Sequence, residues 1–337
     1  MEIRIIYNAQ FAYNEQHYYL DGFKMRPLLE LLNKKQKVSD IKYIRSLLMG
    51  FAILWVMSFH YPFIPLQPLL AFEHQGYVGV DIFMFVSGFG IYYSLNKNNL
   101  DTYYRNRFKR ILPTYAIMAT SLFLYWFLQN KNICYIQYLI DTWWYIPCIC
   151  TFYVMSPVIY KILNSNLFVK AVSISGGVIF IAVYLLSLPQ YLPINLSVGR
   201  LPIYIIGMFM GKLSLNERTL KIKDLLLMFV AGCILYSVSY LFSNSQSLGD
   251  FRTLRFFAYA IIIPSLVLLF GCLKDNESHI ARIFQYLGKI SLELYLVSVF
   301  IWQLLKDFHI EYNTFSISIY VLGSLLIALG LSKISRT

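Results

Sequence analysis

The stretch Ser46–Phe63, SLLMGFAILWVMSFHYPF, decides the fold. It is an apolar run of membrane-span length with no acid or base until His60. A bilayer disfavours a polar side chain that has neither a partner nor a task. An imidazole there marks either an interfacial helix end or a functional group.

The rest of the chain has the same character. Its 337 residues are 58% hydrophobic and only 14% charged, with mean hydropathy +0.56. That is far too little charge for a soluble domain of this size. Runs of span length recur from residue 43 onward, without the alternating polarity of a membrane barrel. The reading is an all-α polytopic membrane bundle of ten transmembrane helices, at 44–63, 77–96, 111–129, 142–162, 168–188, 199–213, 222–242, 255–273, 286–305 and 313–332. Residues 1–40 read as an N-terminal cytoplasmic arm or a start placed too early, and 41–337 as one transmembrane domain with short loops.

Charge sets the orientation. The net charge is +12, and alternating the ten spans puts 24 of the 29 basic residues on one side. That side is cytoplasmic by the positive-inside rule, so both termini are expected there. The excess of base is then a topology signal, and no nucleic-acid partner is needed. The five cysteines lie mostly in apolar runs and read as small buried hydrophobes, with no metal site.

Three motifs carry chemistry. His60 lies ~22 Å along the first helix from Arg45. GYVGVDIFMFVSGFGIYYSL (Gly76–Leu95) puts Asp81 near the outer end of the second helix. His60 and Asp81 are expected to share a depth, the carboxylate orienting the imidazole for proton transfer. The plainer alternative is that Asp81 caps a helix and the glycines only pack. YYRNRFKRILPTY (Tyr103–Tyr115) carries Arg105, Arg107 and Arg110, with Pro113 at the entry to the third helix. Arg107 and Arg110 share a helical face and suit phosphate oxygens, although membrane anchoring also explains their charge. Weaker marks are an aromatic belt at Trp143–Ile149, a snorkelling Arg200, and a Lys289–Glu293 pair on one helix.

Together these stretches resemble the acyltransferase-3 family of integral membrane acyltransferases, over about Ile41 to Ser332. His60 matches the family's first-helix histidine, GVDIFMFVSGF its second-helix signature, RNRFKRILPTY its Arg-x-x-Arg-Ile-x-Pro block and LGKISLELYLVS its late helix. The resemblance implies transfer of an acyl group, often acetyl, from cytoplasmic acyl-CoA to a hydroxyl of a cell-envelope sugar or glycolipid. It implies a place in the cytoplasmic membrane of a bacterium. His60 would be the base, Asp81 its support, and Arg45, Arg105, Arg107 and Arg110 the donor contacts, with no permanently bound cofactor. Two positions depart: Met49 stands where the family often has arginine, and Ser298 where its late helix often has histidine. A polysaccharide export component or an acyl-CoA sensor on the same bundle are the alternatives.

Overall fold

The computed structural model describes residues 30–63, 67–130, 134–165, 192–243, 254–275 and 278–334. The chain is an all-α bundle of apolar helices, most of them of membrane-span length. These are α1 (Ile41–His60), α3 (Val78–Lys97), α4 (Leu100–Leu128), α6 (Tyr145–Leu163), α8 (Leu201–Leu215), α9 (Ile222–Ser243), α10 (Leu254–Leu269), the pair α11 (His279–Lys289) and α12 (Ser291–Asp307), and α13 (Thr314–Ile334). Short helices α2 (Gln67–His74), α5 (Tyr135–Thr142) and α7 (Leu192–Gly199) lie between them.

Seven segments of the described chain are long and apolar enough to cross a membrane, and the α11–α12 pair makes an eighth if taken as one span. α10, at the expected eighth position, is a shorter apolar helix of 16 residues. The expected fifth span, 168–188, lies outside the described residues.

The expectations change at three places. The third helix starts at Leu100 rather than at 111, capped by Asn99, which accepts from the Thr102 amide at 3.0 Å. Pro113 therefore sits inside a 29-residue helix. At ~43 Å it exceeds the ~30 Å hydrocarbon core, so its basic first turns reach beyond the apolar zone. The ninth helix is two: α11 and α12 meet at Ile290 with a 75° bend. Trp143 is not part of an interfacial belt, because it is fully buried and donates to the Leu296 carbonyl at 3.2 Å.

Glycine sets the helix spacing. A side chain on Gly50 would strike the Phe284 carbonyl, and one on Gly288 the Ser46 carbonyl, so α1 and α11 touch backbone to backbone. Gly88 and Gly207 do the same for α3 and α8. Such crossings replace side-chain volume with close backbone packing, which lipid-embedded helices need because lipid and leucine are equally apolar. α3 is the central helix, with 78% of its apolar window buried against 17% for α9.

One end of the bundle is clamped outside the helices. The strand β1 (Lys35–Lys37) pairs antiparallel with β2 (Thr219–Lys221), tying the entry of α1 to the turn before α9. Beside it Asp40 accepts from Gln36 at 2.7 Å and from Lys274 at 3.3 Å. These residues belong to the folded bundle, while residues 1–29 of the expected arm lie outside the described residues.

Candidate functional site

α1 and α3 run antiparallel. Gly79 of α3 faces Ala52 and Val56, and Gly90 faces Arg45. This register brings the arginines together at the basic end of the bundle. The Arg45 guanidinium lies over Gly90, and Arg107 Nη2 donates to the Gly90 carbonyl at 3.3 Å. The Nε of each is buried without a hydrogen-bond partner. Neither has an acidic partner among the described residues. Two like charges so close, without a counter-ion, form a site that favours an anion.

They line a cavity of about 300 Å³ together with Ser46, Met49, Arg110 and Lys289 at the basic end. Farther in, its walls are Val80, Phe83, Tyr145, Ile149 and Tyr295. Ser87 and Tyr153 line it as well. The wall is thus cationic at one end and apolar with tyrosine hydroxyls at the other, a shape suited to an amphipathic anion.

Arg110 is tied differently. Its Nη1 and Nη2 meet Glu293 Oε1 and Oε2 at 2.5 and 3.0 Å, and Nη2 also reaches the Lys289 carbonyl at 3.3 Å. Glu293 is completely buried. The break at Ile290 explains the arrangement: it frees the last carbonyls of α11, and Glu293 sits in the first turn of α12, where the helix dipole favours an acid. Lys289 and Glu293, expected on one continuous helix, instead lie on either side of the break, Lys289 ending α11 and Glu293 in the first turn of α12. Arg105 does not line the cavity and is exposed; two residues before Arg107, it points some 200° away around the helix.

Asp81 is the clearest correction. Lying two residues beyond Gly79, it sits level with about Ala52, some eight residues or ~12 Å of rise short of His60. Its charged partner is Arg200, with Nε to Oδ1 at 3.5 Å and both side chains 1% exposed. Arg200 does not snorkel. It donates to the Leu196 carbonyl at 3.0 Å and lies between the rings of Trp144 and Phe256, at 4.8 and 5.3 Å. A buried acid and a buried base on neighbouring helices hold each other, and neither lines the cavity. The sequence offered a signal for this pair: each is an isolated charge in an apolar span, and their signs are opposite.

His60 ends α1 at the far side of the bundle. Its ring lies between Trp302 and Phe59, at 5.0 and 5.4 Å between centroids. No side chain among the described residues hydrogen-bonds the imidazole, and His60 does not line the cavity. Met49, which does, is eleven residues or ~16 Å of helix away. Ser298, at the position of the family's late-helix histidine, is fully buried, donates to the Tyr295 carbonyl at 3.2 Å and faces the Tyr320 hydroxyl.

A family described as an acyltransferase domain matches residues 46–333, and the chain belongs to it, the acyltransferase-3 family. His60, the Asp81 helix and the arginine block all fall within that match, and Arg45 lies one residue before it. A protein of Acidianus two-tailed virus named "Putative acetyltransferase ORF330" is 33% identical over 115 residues. The match spans about a third of each chain, 33% of this one and 33% of the viral protein. No solved structure matches the chain.

Proposed function

We propose that this multi-pass membrane protein is an acyltransferase that moves an acyl group, acetyl by preference, from acyl-CoA to a hydroxyl of an envelope sugar or glycolipid. The observation that carries this reading is the pair of acid-free guanidiniums, Arg45 and Arg107, in the wall of one cavity. Diphosphate and phosphate groups are the anions such forked donors hold best. The basic end would face the cytoplasm, where the donor is made, in the cytoplasmic membrane of a bacterium. The apolar inner wall would take the thioester arm of the donor.

His60 acts as general base in this scheme. It takes the proton of the acceptor hydroxyl as that oxygen attacks the thioester carbonyl carbon. The tetrahedral intermediate collapses with cleavage of the C–S bond, and the departing sulfur receives the proton from the imidazolium, leaving free coenzyme A and the ester. The ~16 Å between Met49 and His60 is the distance the donor's extended arm crosses from its anchored phosphates. Asp81 and Arg200 keep α3 and α8 in register and do not touch the reacting atoms.

The test is purified wild type and His60→Ala in matched liposomes, with radiolabelled acetyl-CoA as donor and membranes of the expressing cells as acceptor. General-base assistance is worth ~10²–10⁴ in rate, so His60→Ala is expected to lose turnover in that range while retaining coenzyme A binding. Near-normal transfer by the mutant would overturn the assignment and favour an export component.

A further inference from the structure

The imidazole of His60 has no hydrogen-bonding side chain among the described residues, so its placement depends on the backbone that carries it. That backbone is a helix end. α1 stops at His60, Tyr61 turns extended at φ −143° and ψ 100°, and Pro62 supplies no N–H. Helix ends fray, and a ring on the final residue would swing with the fraying turn.

Three bonds from one distant segment hold this corner. The Tyr320 hydroxyl donates to the Met57 carbonyl at 2.9 Å, one turn before His60. That oxygen already accepts the Tyr61 amide at 3.0 Å. The Tyr61 hydroxyl donates to Ser316 Oγ at 2.7 Å, and the Tyr312 hydroxyl donates to the Pro62 carbonyl. Ser316 is itself fixed by a reciprocal cap with Asn313 at the start of α13. The rings of Tyr312 and Tyr320 both lie 5.2 Å from that of Tyr61.

Tyr320 sits in the π-helical turn Ile319–Gly323 and is fully buried. A π turn carries one extra residue, which rotates the helix beyond it by ~100°, and such turns recur at functional sites. Here the widened turn holds a hydroxyl against α1 while the ends of α13 remain α-helical.

We propose that Tyr320 is a positioning residue for His60, acting through the Met57 carbonyl to fix the last turn of α1 and with it the direction of the imidazole. This rests on the reading of His60 as the base. Tyr320 touches neither donor nor acceptor.

The variant Tyr320→Phe keeps the ring and removes the hydroxyl, and with it the bond to the Met57 carbonyl and the contact with Ser298. With acetyl-CoA as donor and membranes of the expressing cells as acceptor, it is expected to lower kcat ~10–10²-fold with the KM for acetyl-CoA unchanged, the scale for a misplaced catalytic group. In a His60→Ala background it should cost nothing further, because residues acting as a unit are not additive. Tyr125→Phe serves as a control, as it removes a comparable hydroxyl bond, to Asp307, and should leave kcat as it is. Two measurements on the same samples need no turnover: the rate at which diethyl pyrocarbonate modifies His60, read by mass spectrometry, and amide exchange across 57–63. Both should rise in Tyr320→Phe. Unchanged modification and exchange, or an equal loss of kcat in both backgrounds, would overturn the role of Tyr320 while His60 stands as base. Wild-type turnover by His60→Ala would instead remove the base assignment.

Discussion

Arg107 and Arg105 lie two residues apart on α4 and carry the same charge, so they separate a donor site from a membrane anchor. Arg107 lines the cavity with its Nε unpartnered, whereas Arg105 is exposed and away from it. A charge-assisted hydrogen bond contributes ~1.5–3 kcal/mol, and breaking one to a phosphate should weaken coenzyme A by ~10–10²-fold. Part of that loss is offset in Arg107→Gln, because Arg45 is relieved of a neighbouring like charge, which places the expected effect toward the lower end. Arg105→Gln should stay within twofold. The assay is calorimetric titration of coenzyme A into each variant in nanodiscs, at low and at physiological salt. The wild type should lose affinity as salt rises, and Arg107→Gln should lose less. Equal affinities for the two variants would refute a phosphate site and reduce the whole block to topology.

Asp81→Asn should leave Arg200 buried and unpaired and cost ~3–5 kcal/mol of stability, whereas Asp81→Leu with Arg200→Met should recover most of it; thermal melts in detergent check both, and a turnover loss without a stability loss would return Asp81 to the chemistry. Gly288→Leu should drive α11 off α1 and abolish a monodisperse peak in size exclusion, since its side chain meets the Ser46 backbone. Glu293→Gln should destabilise the bend and leave Arg110 unneutralised, so coenzyme A binds no more weakly while the melting temperature falls; weaker binding would contradict that charge arithmetic. Reporter fusions after Lys131 and at the C-terminus should report opposite sides, with the C-terminus cytoplasmic.

Much of the bundle was legible because hydrophobic runs and basic loops are one-dimensional signals. The positions of α1, α3, α6 and α9 follow from them within a few residues. Depth is a different matter. His60 and Asp81 sit on consecutive helices, but their relative height is set by how Gly76 and Gly79 seat on Trp55, Phe59 and Val56, and α2 occupies the connection between them. Nothing in the spacing of residues 61–77 encodes that slide. The break at Ile290 was hidden for a related reason: Gly288 reads as tolerated helix interior, while its function is backbone contact across to α1. Pro113 misled in the other direction, since a proline beside a basic run looks like a helix entry and here lies close to the middle of the helix.

The short pairing of β1 with β2 also fixes an order of assembly. Its partners are about 180 residues apart in the chain. At ~5–20 residues per second, β1 emerges ~10–40 s before β2 exists. Through that interval α1, α3, α4 and α6 are threaded while the entry of the first helix has an open strand edge. The bundle's basic end can close only after α8 has been delivered, and it is locked later still, when Lys274 arrives beside Asp40. The cavity built from α1, α3, α4 and α6 thus waits for α11 and α12 to wall it, and its final seal is a late event in biogenesis.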